Sequence, residues 1–309
     1  MQSMLRGGLL SLLLLAVTNE YTTSTSIMSS SSQSIPEQPT SAVHPRDESS
    51  DVLQRWSKRW EGSDTPGWHL KDAHFMLLRY FPQLMEELKP STTTTTCSDE
   101  TSKSVRVLVP LCGKSVDLVY LAKHDAVSEV VGVDGIQKAI DIFMDENPDL
   151  YNKDEVLAQS SGTQNQFAKY EGKNIAMLKG DFFDLDQDAV DGSLFDVVWD
   201  RASMVAIKPE KREEYVKVLS QMIKPGGVII LCALDRRSGT EEAMAYGPPF
   251  SLPEEEILRL FEHQDWVESI TKMEEHDEAI TTPDAFKRWK DMGLTSLFEM
   301  LFVIRTKGA

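Results

Sequence analysis

An α/β fold built on a parallel sheet with helices on both faces is predicted from three observations. From Val105 onward, apolar runs of strand length alternate with stretches of helical periodicity. The strand runs are apolar almost throughout, not at every second position. The 309-residue chain also has an ordinary globular balance, 41% hydrophobic and 26% charged. Strands buried on both faces read as continuous apolar runs, and strand–helix alternation makes them parallel. In such sheets ligands sit at the carboxyl ends of the strands.

The elements follow in order. Val52, Trp56 and Trp60 recur at four-residue spacing and make one apolar stripe of a short helix. Pro66-Gly67 breaks the chain, and a second helix is expected from Ala73 to Leu88. Pro90 to Ser98, with its threonine tract, reads as a connector. Val105–Leu111 is the first buried strand, Ser115–Lys123 a helix, and Val130–Asp134 a second strand ending on an acid. Ile136–Met144 is helical, and residues 145–173 read as a polar, irregular insertion. Ile175–Lys179 and Phe195–Asp200 are the third and fourth strands. Pro209, whose fixed φ suits a first helical turn, opens a helix reaching Ile223. Lys224-Pro225-Gly226-Gly227 turns into a fifth strand, Val228–Leu234. A helix over Pro253–Phe261 and strands over Trp266–Met273 and Leu297–Arg305 complete the pattern.

Composition excludes several classes. Lys plus Arg total 32 against 49 Asp plus Glu, a formal charge of −17. Such a surface repels phosphate backbones and anionic lipid headgroups, so neither nucleic acid nor a membrane surface is expected as a partner. Cys97, Cys112 and Cys232 form no CxxC pair, and the histidines show no HExxH spacing, so no metal site is expected. The apolar stretch Leu9–Val17 is too short to span a bilayer but has the length of a signal-peptide core. Residues 1–50 are therefore read as a targeting or disordered segment, or as an upstream extension of a chain starting at Met28. Residues 51–309 form the expected folded domain.

Three strand ends carry candidate chemistry. At the first, Gly113 permits a sharp turn into a helix whose N-terminus suits an anion. Gly113-Lys114-Ser115 is not a phosphate-binding loop, because that motif needs glycine where Leu108 stands; nor is there a G-x-G-x-x-G fingerprint. At the second, Asp134 can accept hydrogen bonds from both ribose hydroxyls of an adenosine cofactor, or serve as a helix cap. A lone-glycine turn beside such an acid favours S-adenosylmethionine over a dinucleotide, because there is an adenosine to hold and no pyrophosphate to cradle. At the third, Asp181-Phe182 could grip an adenine edge and face. Asp200-Arg201 could be a plain ion pair, but Arg201 stands where an anionic substrate or the cofactor carboxylate is expected.

Read together, Val109-Pro110-Leu111-Cys112-Gly113-Lys114-Ser115, Val131-Gly132-Val133-Asp134, Trp199-Asp200-Arg201-Ala202 with Val205-Ala206-Ile207, and Gly247-Pro248-Pro249-Phe250 resemble the thiopurine S-methyltransferase family, in family order from Trp56 to Arg305. The resemblance implies a Rossmann-like seven-stranded methyltransferase sheet, order 3-2-1-4-5-7-6 with an antiparallel last strand, under an N-terminal helical cover. It places S-adenosyl-L-methionine contacts on Trp56, Trp60, Trp68, Leu111, Asp134, Asp181, Phe182 and Arg201. The acceptor would meet Trp68, Phe250 and Arg288, with Arg201 catalytic. Two departures stand out: Asp134 replaces the glutamate frequent in the family, and Arg288 aligns only across a gap.

The implied activity is methyl transfer to an aromatic or heterocyclic thiol, by a monomer of the cytoplasm, with an organelle or secretory route left open by the apolar N-terminus. Halide, thiocyanate, hydrosulfide and selenium or tellurium acceptors are the alternative, and a non-catalytic cofactor-binding module is the alternative of another class. An ionised sulfur nucleophile needs little general-base help, which suits a sequence with no evident histidine–carboxylate pair.

Overall fold

A computed structural model describes residues 46–64, 67–88, 105–151, 159–164, 166–238, 240–245 and 247–308. The expectations for residues 1–45, for Pro66 and for the Pro90–Ser98 connector lie outside the described residues.

Two helices, α1 (Arg46–Gly62) and α2 (Phe75–Glu87), precede the sheet. The alternating part runs β1 (Val105–Pro110), α3 (Val116–Ala122), β2 (Val127–Asp134), α4 (Gln137–Glu146), β3 (Gln159–Ser161), β4 (Phe167–Gly172), β5 (Ile175–Lys179), β6 (Phe195–Arg201), α5 (Arg212–Met222) and β7 (Ile223–Ser238). The carboxyl-terminal part is α6 (Glu241–Ala245), α7 (Glu254–Phe261), β8 (Val267–Asp277), α8 (Glu278–Thr281), α9 (Pro283–Asp291) and β9 (Leu294–Thr306). Pro209 does open a helical segment, but as a short 3-10 turn, Pro209–Lys211, leading into α5.

These strands make one sheet of nine, ordered β3-β4-β5-β2-β1-β6-β7-β9-β8. Seven of them, from β5 to β8, reproduce the expected order. Their neighbours pair in parallel from β5 through β7, and the last strand, β9, runs antiparallel to both β7 and β8. The expected count of seven is corrected to nine by the insertion. Gln159–Ser161 and Phe167–Gly172 form an antiparallel pair that extends the sheet beyond β5. A polar, exposed edge hides the alternation that marks a strand, and β3 has two exposed residues of three.

The core lies on both faces of the sheet, as continuous apolar strands require. One cluster joins Val131, Val198 and Ile229 to α5 and α7. The other joins Val107, Val130 and Ile230 to α2 and α3. A small third cluster sets Trp60 of α1 against Ile136 and Ala139 at the start of α4, which holds the N-terminal helix over the carboxyl end of β2. Among the described residues no helix is long and apolar enough to cross a membrane.

Candidate functional site

Because β1 lies between β2 and β6, and all three are parallel, their carboxyl ends open side by side. The chain winds one way from β1 to β2 and the other way from β6 to β7. This reversal is the switch point at which open α/β sheets bind ligands. A cavity partly open to solvent occupies it.

The backbone at its floor is strained. Leu111, just past β1, has φ 43, and Ala202, just past β6, has φ 64; both line the cavity. Left-handed backbone costs a non-glycine residue about 1–2 kcal/mol and concentrates at functional sites. Between them Gly113 has φ 52, and a Cβ there would come within 3.0 Å of the Trp60 ring, so glycine is what lets α1 close on this turn. The Gly113 amide donates to Asp134 Oδ2 at 2.8 Å and the Ile136 amide to Oδ1 at 2.8 Å. Each carboxylate oxygen keeps a further lone pair. Burial pushes the Asp134 carboxyl up to about 6, against the downward pull of those two amides.

Aromatic rings form the cover. Trp68 meets Trp56 edge to face at 5.3 Å and Trp60 at 5.9 Å. Lys138 of α4 clamps the end of α1 by donating to the Trp60 carbonyl at 2.8 Å and pairing with Asp64 at 2.6 Å. Across the cavity, Arg201 donates from Nη1 to the Trp68 carbonyl at 3.0 Å, tying the end of β6 to the loop that carries the aromatic wall.

Under this wall lies a buried polar network. Asp117 at the start of α3 accepts from the His74 amide at 2.7 Å and from Trp199 Nε1 at 2.9 Å. The His74 ring meets Glu299 Oε1 at 3.0 Å, and the Cys232 thiol donates to the same oxygen at 3.3 Å. Burial works to raise the Glu299 carboxyl, but His74, Arg201 and Cys232 together hold it below its ordinary value. His74, Cys232 and Glu299 have metal-ligating side chains within 4.8 Å of one another, a grouping that sequence spacing could not show because it comes from three separate elements. Asp200 does not pair with Arg201. It is fully buried and accepts from the Met204 amide at 3.0 Å and from Tyr215 Oη at 2.8 Å, bracing the turn after β6 against α5.

Trp56, Trp60, Trp68, Leu111, Asp134 and Arg201 all line the cavity. Four other candidates do not. The Asp181 carboxylate accepts from the Phe183 amide at 3.1 Å, and the Phe182 ring is 1% exposed, packed on Tyr215 at 4.8 Å, with no face turned to a ligand. Phe250 donates its amide to the Val205 carbonyl at 2.7 Å, and its neighbours Pro248 and Pro249 reach the cavity instead. Arg288 is half-buried on α9, away from the lining. Sequence reasoning passed over His69, Lys114, Asp117 and Trp199, which do line it. Lys114 was legible as part of the motif, but nothing along the chain says that its Nζ reaches Glu146 of α4 at 2.6 Å.

Sheet order, covered cavity and strand-end acid define an S-adenosylmethionine-dependent methyltransferase. The chain belongs to the thiopurine S-methyltransferase (TPMT) family, whose model matches residues 52–307. A thiopurine S-methyltransferase of Aliivibrio fischeri is 34% identical over 251 residues, covering 81% of this chain and 98% of that one. The Aliivibrio salmonicida protein of the same name is 33% identical over 252 residues, with the same coverage. Among solved structures, one from work on conversion of a disulfide bond into a thioacetal group during echinomycin biosynthesis superimposes with a TM-score of 0.51 at 15% identity. It covers 82% of this chain and 93% of its own, and at that identity it speaks for the fold alone.

Proposed function

We propose that this protein is an S-methyltransferase that moves the methyl group of S-adenosylmethionine to an aromatic or heterocyclic thiol. The observation that carries the reading is the single cavity wall joining a buried acid, Asp134, to a cation, Arg201, past the faces and edges of Trp68 and Trp199. The donor set fits the cofactor. A carboxylate with two lone pairs left suits a ribose diol, and the tryptophan cover suits an adenosine-sized ligand bearing a sulfonium. Trp56, Trp60, Trp68, Leu111, Asp134 and Arg201 are the residues assigned to it. Asp181 follows two residues after Lys179, the register partner of Asp134, which keeps it beside the ribose acid; Phe182 would serve by packing beneath.

When bound, the cofactor supplies a methyl carbon already activated by its sulfonium. The task left to the chain is positioning, which in well-oriented intramolecular reactions is worth roughly 7–11 kcal/mol. Trp68, Pro248 and Pro249 present flat apolar surface to a ring, with Phe250 behind them, and exclude water from the reacting sulfur. Arg201 favours the anionic form of the acceptor, and because Arg288 is not at the wall, Arg201 is assigned that role by itself. The acidic chain, with a narrow strand-end cavity in place of a broad basic face, supports a small-molecule acceptor over nucleic acid.

The test offers the full chain labelled S-adenosylmethionine with, in parallel, an aromatic thiol, a thiopurine, iodide, hydrosulfide and selenite. Methylated product from the ring thiols is expected. Product mainly from iodide or hydrosulfide would move the function to small anions. Cofactor binding with no product from any acceptor would make the protein a binding module.

A further inference from the structure

The cavity's ionisable side chains are mostly committed. Both Asp134 oxygens accept backbone amides, both Asp117 oxygens are bonded, and Lys114 Nζ is held by Glu146. Arg201 is a donor only, and its charge is permanent. Cys112 is buried, and burial together with Asp134 keeps its thiol protonated. His69 differs. It follows Trp68 on the loop that Arg201 anchors, lines the cavity, is half-buried, and makes no hydrogen bond through its ring among the described residues. An imidazole left without a protein partner inside a ligand cavity has a ring nitrogen to offer to the ligand.

We infer that His69 is the general base that removes the proton of a neutral thiol acceptor as it settles against Trp68. This rests on the thiol reading above. The S–H bond breaks, the proton passes to a ring nitrogen of His69, and the electron pair stays on sulfur. The sulfur then forms its bond to the methyl carbon while that carbon's bond to the donor sulfur breaks. His69 afterwards releases the proton to water through the open side of the cavity. Burial lowers the imidazole's pKa, followed by Lys114 and Arg201, against the upward pull of Glu146 and Asp117. The ring is therefore neutral at pH 7, ready to accept and quick to release. Halides arrive wholly ionised and give such a base nothing to do, so its presence favours acceptors that arrive carrying a proton.

The test compares wild type with His69→Gln, which keeps a polar side chain of similar reach, on two acceptors. Benzyl mercaptan is protonated at neutral pH, and 4-nitrothiophenol is already ionised. General-base removal costs on the order of 10²–10⁴-fold. The ratio of kcat/KM for the ionised to the protonated thiol is expected to rise at least about tenfold in the variant. Below pH 6.5, the wild-type rate with benzyl mercaptan should fall along a titration that His69→Gln lacks. Independently of turnover, the His69 ring resonances should move when benzyl mercaptan binds with S-adenosylhomocysteine, because the thiol donates to a ring nitrogen. Equal losses on both thiols, with His69 ring resonances unmoved by the thiol, would overturn the inference and leave His69 a structural residue. If wild type methylates neither thiol, it is the thiol reading itself that fails.

Discussion

Lowering the pH from 8 to 5 should release the cofactor product by discharging one carboxylate. Asp134 is buried, and burial raises its pKa to about 6 despite two amide donors. A ribose diol needs the ionised form, which accepts at both oxygens, so binding is near full strength well above pH 6 and weakens as pH falls through it. At pH 5 about one-eleventh of the carboxylate remains charged. The apparent dissociation constant of S-adenosylhomocysteine should then rise about tenfold, or about 1.4 kcal/mol. Isothermal titration at pH 5, 6, 7 and 8 reads this directly. Asp134→Asn should bind more weakly at pH 8, by about 1.5–3 kcal/mol for a lost charged hydrogen bond, and should show a much flatter pH dependence. Stability of the ligand-free protein runs the other way. Burial pushes the Asp134 and Asp200 carboxyls up to about 6, above their ordinary 3.8. The native state therefore holds more protons than the unfolded chain between those limits, and these two carboxyls favour the fold increasingly as pH falls from 6 towards 4. Equal affinity at pH 5 and 8, or the same slope in Asp134→Asn, would refute the assignment of Asp134 to the ribose.

Arg201→Ala should lower kcat for thiol methylation by about 10²–10³-fold, the cost of losing one donor aimed at developing or resident negative charge, as read by labelled-methyl transfer. Gly113→Ala should cost about 1–2 kcal/mol in denaturant unfolding through its left-handed backbone. It should also weaken S-adenosylhomocysteine binding, because the new Cβ displaces the Trp60 ring. Trp199→Phe removes the Nε1 donor to Asp117 and leaves a buried carboxylate oxygen unpaired. A loss of about 1–3 kcal/mol is expected by urea titration, and a value near zero would mean that water replaces the bond.

The sheet was legible because buried parallel strands announce themselves. Ile175–Lys179 was bounded without error, and the strands ending at Asp134 and Arg201 were placed within a few residues. The residues that line the cavity from those strand ends were legible for the same reason, since a strand's last residue has one place to point. What failed to show depends on contacts between distant segments. The β3–β4 extension is polar and becomes a strand only by pairing with β5. That the Phe182 ring packs on Tyr215 of α5 depends on a contact between segments far apart in the chain. His69 reads along the chain as an ordinary loop histidine, and its place in the cavity comes from the bond between Arg201 and the Trp68 carbonyl. Asp117 and Trp199 sit on separate elements and become one unit only through a hydrogen bond between β6 and α3.

The most direct test of the central claim is a crystal structure of the full chain with S-adenosylhomocysteine and a thiopurine. The ribose hydroxyls are expected on the Asp134 carboxylate and the thiopurine sulfur between the cofactor sulfur and Arg201, within reach of His69 and against Trp68. A cofactor bound elsewhere, or a thiopurine sulfur turned away from Arg201 and the cofactor sulfur, would contradict it.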